Sequence, residues 1–147
     1  MDLYNIGIAI RDDLRENIAD PIKREGQWIH YDEISLQGKT PSMFIERVPS
    51  TTMMEFVGSG SQLEFPRYQV AIIVKVGDTG RIDDTMITKW KELLDRLAKK
   101  VIDRMELVST TINPTYVAML HRLPIGGIIR IDKMRRGLFM VFEVHPK

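Results

Sequence analysis

The stretch RYQVAIIVKV, Arg67 to Val76, restricts the fold more than any other part of the chain. Val70, Ile72, Val74 and Val76 alternate onto one side of an extended segment, and Ala71 and Ile73 on the opposite side are apolar too. A strand apolar on both faces belongs near the middle of a sheet with cover on each side. The next apolar pattern has a different period. Met86, Ile87, Trp90, Leu93, Leu94, Leu97, Ala98, Val101, Ile102 and Met105 recur at three- and four-residue spacings, forming a wide stripe along one long helix. Asp83 suits the helix cap and Asp84 its positive first turn. A central strand followed by a helix able to cover it calls for a layered domain of strands and helices.

The rest of the chain fills in that layering. Leu3, Ile6, Ile10, Leu14 and Ile18 mark one face of an N-terminal helix, capped by Asp2 and stopped by Pro21. Arg11, Asp12, Arg15 and Glu16 occupy its other face. QWIHYDEI, SMFIERV and TTMMEFV then read as short strands, and GSGSQLEFP, residues 58–66, as a loop or hairpin tip. After Asn113-Pro114, the segments TYVAMLHRL, GIIRID and GLFMVFEV read as three more strands, joined by residues 124–127 and 134–137. The last is apolar on both faces and is expected beside the central strand. These elements predict a single α+β domain over residues 1–147, with a mixed, mostly antiparallel sheet packed with the N-terminal helix and the long central helix.

Composition narrows the chemistry. The 21 basic and 20 acidic side chains give a net charge of +1, so no global field steers the protein toward nucleic acid or an acidic membrane. Without cysteine there is no disulfide framework, thiol nucleophile or cysteine-based zinc site. No apolar run is long enough to span a bilayer, and the acidic N-terminal stretch predicts no secretory signal. Gly77 and Gly80 lie between a strand and a helix, the order of a phosphate loop. However, they are too close together, no Lys-Ser/Thr pair follows, and Asp83 and Asp84 would repel an anion. GSGSQL lacks the third glycine of a dinucleotide fingerprint. His30, His121 and His145 show no metal-ligand spacing and suit structural roles in strands. Asp12/Asp13 and Asp32/Glu33 are adjacent, so neither pair shares a face and both read as surface charge. No enzyme motif, cofactor or metal is expected.

Two features point to interaction. DKMRRG places Lys133, Arg135 and Arg136 on a connection between strands, where they are either a solvated turn or contacts to a phosphate backbone. Met53, Met54 and Phe56, beside the Gly-Ser loop, are either an adaptable apolar surface or ordinary core.

The chain resembles the tail terminator, or tail completion, proteins of long-tailed bacteriophages. The resemblance is carried by LYNIGIAIRDDLRENI, MFIERVP, TTMMEFVGSGSQLEFPR, YQVAIIVKVGD, IDDTMITKWKELLDRLAKKVIDRM and RRGLFMVFEV in that order. It covers most of the chain through architecture and apolar pattern rather than a catalytic signature. The resemblance implies a structural virion protein, not an enzyme: a ring, usually a hexamer, on the neck end of the tail. Such a ring caps the tail tube, ends its polymerisation and presents a joining surface to the head-completion protein, while DNA passes through its lumen. Assembly would occur in the host cytoplasm. On this reading Met53, Met54, Phe56, Gly58, Gly60, Leu63, Phe65 and Arg67 belong to a projecting arm that contacts a neighbour or the tube. Lys133, Arg135 and Arg136 belong to the lumen or an interface. The competing expectations are a neck or head-completion protein and, in a different class, a small nucleic-acid-binding or ligand-binding α+β domain.

Overall fold

The computed structural model describes residues 3–31, 40–48, 53–55, 62–64, 66–76, 84–107, 119–122 and 127–145. In chain order these form α1 (Leu3–Asn17), β1 (Ile29–Tyr31), β2 (Ser42–Val48), β3 (Met53–Glu55), β4 (Gln62–Glu64) and β5 (Arg67–Lys75). They continue with α2 (Asp84–Leu107), β6 (Met119–Arg122), β7 (Ile128–Arg130) and β8 (Arg135–His145). The fold is α+β. Strands run in the order β1-β2-β5-β8-β6, with β7 also paired to β8. The β1–β2 pair is parallel and every other described pair is antiparallel.

The doubly apolar strand is central. β5 lies between β2 and β8, and Val70, Ile72 and Val74 on one face are 0–1% exposed, as are Ala71 and Ile73 on the other. β8 pairs with β5 along nine residues, from Arg67↔Glu143 to Lys75↔Arg135. Its opposite edge is divided, with β7 beside residues 136–138 and β6 beside residues 142–145.

Both helices cover one face of the sheet. α1 lies over β1 and β2, α2 lies over β5 and β6, and the helices touch each other. Their stripes meet the sheet in one core: Ile6, Ile10 and Leu14 from α1, Leu94, Leu97, Val101 and Met105 from α2, and Ile45, Ile72, Met140 and Phe142 from the strands. Burying each of these aliphatic or aromatic side chains is worth about 1.5–3 kcal/mol relative to leaving it in water. Phe44, Ala71 and Ile73 form a smaller cluster on the opposite face, with Ile131 and Phe139 packed against it.

Polar ties fix the layers. Asp13 accepts from Nη2 of Arg104 at 2.7 Å and from Nε at 2.9 Å, a two-point bond between α1 and α2. The Arg15 guanidinium donates to the Ile29 carbonyl at 2.8 Å, joining α1 to β1. Between these elements Asp20 organises the chain by accepting the backbone N–H groups of Ile22 and Arg24 and the Arg24 side chain. Arg24 in turn donates to the Pro41 carbonyl just before β2. Gly7 lets α1 lie against the Tyr31 ring of β1, because any Cβ there would run into that ring.

Four expectations change. The strand expected across QWIHYDEI begins at Ile29 rather than Gln27, and residues 32–34 of that stretch lie outside the described residues. β4 falls inside the stretch read as a loop or hairpin tip, where it pairs with β3. Residues 135–137 belong to β8 rather than to a connection, because they continue its ladder with β5. Asp13 is not idle surface charge, since Arg104 engages it across the helices. The expected caps Asp2 and Asp83, the glycines Gly77 and Gly80, and Asp32/Glu33 lie outside the described residues.

Candidate functional site

Two parts of the molecule hold the residues singled out for interaction. The first is the β3–β4 ribbon, a two-stranded sheet separate from the six-stranded one. Met53 stands opposite Glu64 and Met54 opposite Leu63 in its register. Phe56, Gly58, Gly60 and Phe65 lie outside the described residues. Arg67, expected at the end of the same arm, instead opens β5. Its Nε donates to the Glu143 carboxylate at 2.9 Å across the β5–β8 ladder. Glu143 is buried, with 8% of its side chain exposed, so this charged bond locks two main-chain strands together.

The second part is the β7–β8 hairpin with the neighbouring end of β5. Residues 131–134 form its turn, and Asp132 holds the turn closed. The Asp132 carboxylate accepts the backbone N–H groups of Met134 at 2.9 Å and Arg135 at 2.8 Å, and the Arg135 guanidinium at 3.0 Å. The Met134 hydrogen bond, followed by the Arg135 bonds and charge, holds this carboxyl below its ordinary value despite a smaller opposing effect of desolvation. Short polar side chains that bond their own backbone two residues on are a common means of closing turns.

Lys133 is exposed in this turn. Arg135 and Arg136 begin β8, where register sets Arg135 opposite Lys75, and Arg136 opposite both Val74 on β5 and Arg130 on β7. Nη1 of Arg136 donates to the carbonyls of Asp132 at 2.8 Å and Arg135 at 3.0 Å. The structure thus sets Lys75 opposite Arg135 on one face of the sheet and Arg130 opposite Arg136 on the other. Neither Lys75 nor Arg130 carries a local motif; their sheet partners bring them there.

His30 lies in β1 with its ring 5.7 Å from Phe44. Desolvation lowers its pKa, and the nearby charges of Arg15, Arg24 and Arg11 lower it further. His121 lies in β6, and His145 ends β8. Among the described residues no group of His, Asp and Glu is placed to hold a metal ion.

No protein-family model matches the chain, and no curated protein is similar enough to count as a relative.

Proposed function

We propose that this protein is a tail-terminator-like structural subunit, assembling as a ring that caps a tail tube and offers a surface for head joining. The observation that carries the reading is the self-paired β3–β4 ribbon, separate from a sheet whose helix-covered face is already packed. A strand pair outside the main sheet is suited to reaching a neighbour, and it occupies the stretch that the resemblance assigns to the projecting arm. Heterologous contacts of this kind close by rotation into a ring. Met53, Met54 and Leu63 would meet a neighbouring subunit or the tube protein. Lys133, Arg135 and Arg136 would face the lumen through which DNA moves, or the head-completion partner.

Solution mass is the first test. Six copies of the 17.0 kDa chain would form a closed species of about 100 kDa, alone or once tail tubes are supplied. The same preparation should block further tube growth at low and high salt alike. A protein that stays monomeric at high concentration and never associates with tubes would remove the reading.

A further inference from the structure

The hairpin end of the sheet concentrates positive charge against its own stability. Register places Arg130 opposite Arg136 on one face of the sheet, while Lys75, which has a partner of its own, stands opposite the Asp132-bound Arg135 on the other face. Like charges directly opposed across a ladder are destabilising. Asp132 is the acid of the turn, and its carboxylate is engaged by the backbone and by Arg135. Arg130, Lys133 and Arg136 have no acidic partner among the described residues. Arg136 is held by neutral carbonyls through one nitrogen, which fixes its plane while leaving its full charge and further donors available. A net charge of only +1 over the whole chain makes this a local device rather than a general bias.

We propose that this end of the sheet binds the phosphate backbone of double-stranded DNA without reading its sequence. Guanidinium groups match phosphate oxygens two at a time, and Arg130 and Arg136, opposite each other on one face of the paired strands with Lys133 in the adjoining turn, supply three cations at this end. Single strands are disfavoured because residues 127–136 contain no aromatic side chain on which an exposed base could stack. A bilayer is disfavoured because the exposed Ile128 and Ile129 are successive strand residues and so lie on opposite faces, with no common apolar surface to insert. A second copy of this chain offers no matching acidic patch on α2, where Glu92, Asp95 and Asp103 are interleaved with Lys91, Arg96, Lys99 and Lys100. The inference stands on the register of the hairpin, so a failed ring test leaves it intact.

The test is fluorescence anisotropy of the full chain with a mixed-sequence duplex of about 30 base pairs, across a salt series. Three phosphate contacts predict a slope of about −2.7 in log affinity against log salt, so binding should weaken roughly 40-fold from about 50 to 200 mM. The double variant Arg130→Gln/Lys133→Gln should bind more weakly at low salt and lose about two units of that slope. Lys99→Gln/Lys100→Gln, on the exposed face of α2, should behave as the parent, and a second duplex of unrelated sequence should bind equally well. Circular dichroism checks that each variant is folded. The proposal is overturned if no duplex binds at low salt, or if a folded Arg130→Gln/Lys133→Gln keeps the parental affinity and slope. It is equally overturned if the cluster captures only vesicles containing phosphatidylserine, or only polyglutamate.

Discussion

Replacing Gly7 with alanine sets two ordinary effects against each other. Alanine in a helix interior is favoured over glycine by about 0.8–1.0 kcal/mol, so on propensity alone Gly7→Ala should stabilise α1. At this position the added Cβ would sit 2.5 Å from Oη of Tyr31 and closer still to Cε2 and Cζ, well inside contact distance. The ring has limited room to retreat. It meets Tyr4 edge-on at 5.7 Å, packs against the helix-side core, and is carried by a strand in register with Ile45. Overpacking of this kind costs about 1–3 kcal/mol. The balance predicts a net loss of about 1 kcal/mol, or a fall of about 2–4 °C in Tm for a chain of this size. Urea unfolding followed by far-UV circular dichroism would measure it. In a Tyr31→Ala background the obstacle is gone, and the same Gly7→Ala change should stabilise by about 1 kcal/mol, for a coupling of about 2 kcal/mol. A Gly7→Ala change that stabilises the parent as much as it stabilises Tyr31→Ala would refute the close approach of α1 to β1.

Three further outcomes follow from the polar ties. Asp20→Ala leaves Arg24, 11% exposed, without its carboxylate and should cost about 3 kcal/mol in chemical denaturation. Burial pushes the Asp20 carboxyl up, but bonds from Arg24 and from the Ile22 and Arg24 amides outweigh it and leave the pKa lowered. The stability it contributes should therefore be complete above about pH 4 and decline as pH falls through the lower folded value, an acid dependence that Asp20→Asn should lack. For His30, an NMR titration should give a midpoint below 6.5, moving upward in Arg15→Gln. Because the folded form binds this proton less readily than the unfolded chain, its contribution should disfavour folding as pH drops through about 6.5. A double-mutant cycle on Asp13→Ala and Arg104→Ala should return a coupling of about 1 kcal/mol, and additive effects would show that the two helices are not tied at this point.

The features legible in the sequence are those whose cause is local. Alternating apolar residues on both sides of Val70 to Val76 marked the central strand, and three- and four-residue spacings marked the two helices that cover it. The apolar run of GLFMVFEV likewise indicated the strand beside it. What escaped depends on partners far away in the chain. QLE has no strand-forming signal of its own and becomes β4 through pairing with MME. Arg135 and Arg136 look like turn residues because charges rarely open a long central strand, yet the Asp132 carboxylate closes the turn just before them. Lys133, Arg135 and Arg136 were visible as a basic run, whereas Lys75 and Arg130 are set opposite Arg135 and Arg136 only by cross-strand register. Arg67 meets Glu143 across 76 positions and Asp13 meets Arg104 across 91, distances at which no pattern in the chain marks a pair. Gly7 reads simply as a weak helix residue until the ring above it is seen.

The divided edge of β8 also constrains the order of biosynthesis. On a ribosome this strand emerges after every other strand of the sheet, although it belongs in the interior, between β5 and the pair β6 and β7. Until Arg135 and its successors leave the exit tunnel, β5 has one open hydrogen-bonding edge and the two later strands lack the one partner they have among the described strands. The helices can form during translation, but the six-stranded sheet closes only afterwards, through contacts distant in sequence that are slow to form. A nascent chain halted before Arg135 would expose the Val70–Val74 edge, an open template for pairing with another chain, and cellular chaperones would be needed most in that interval.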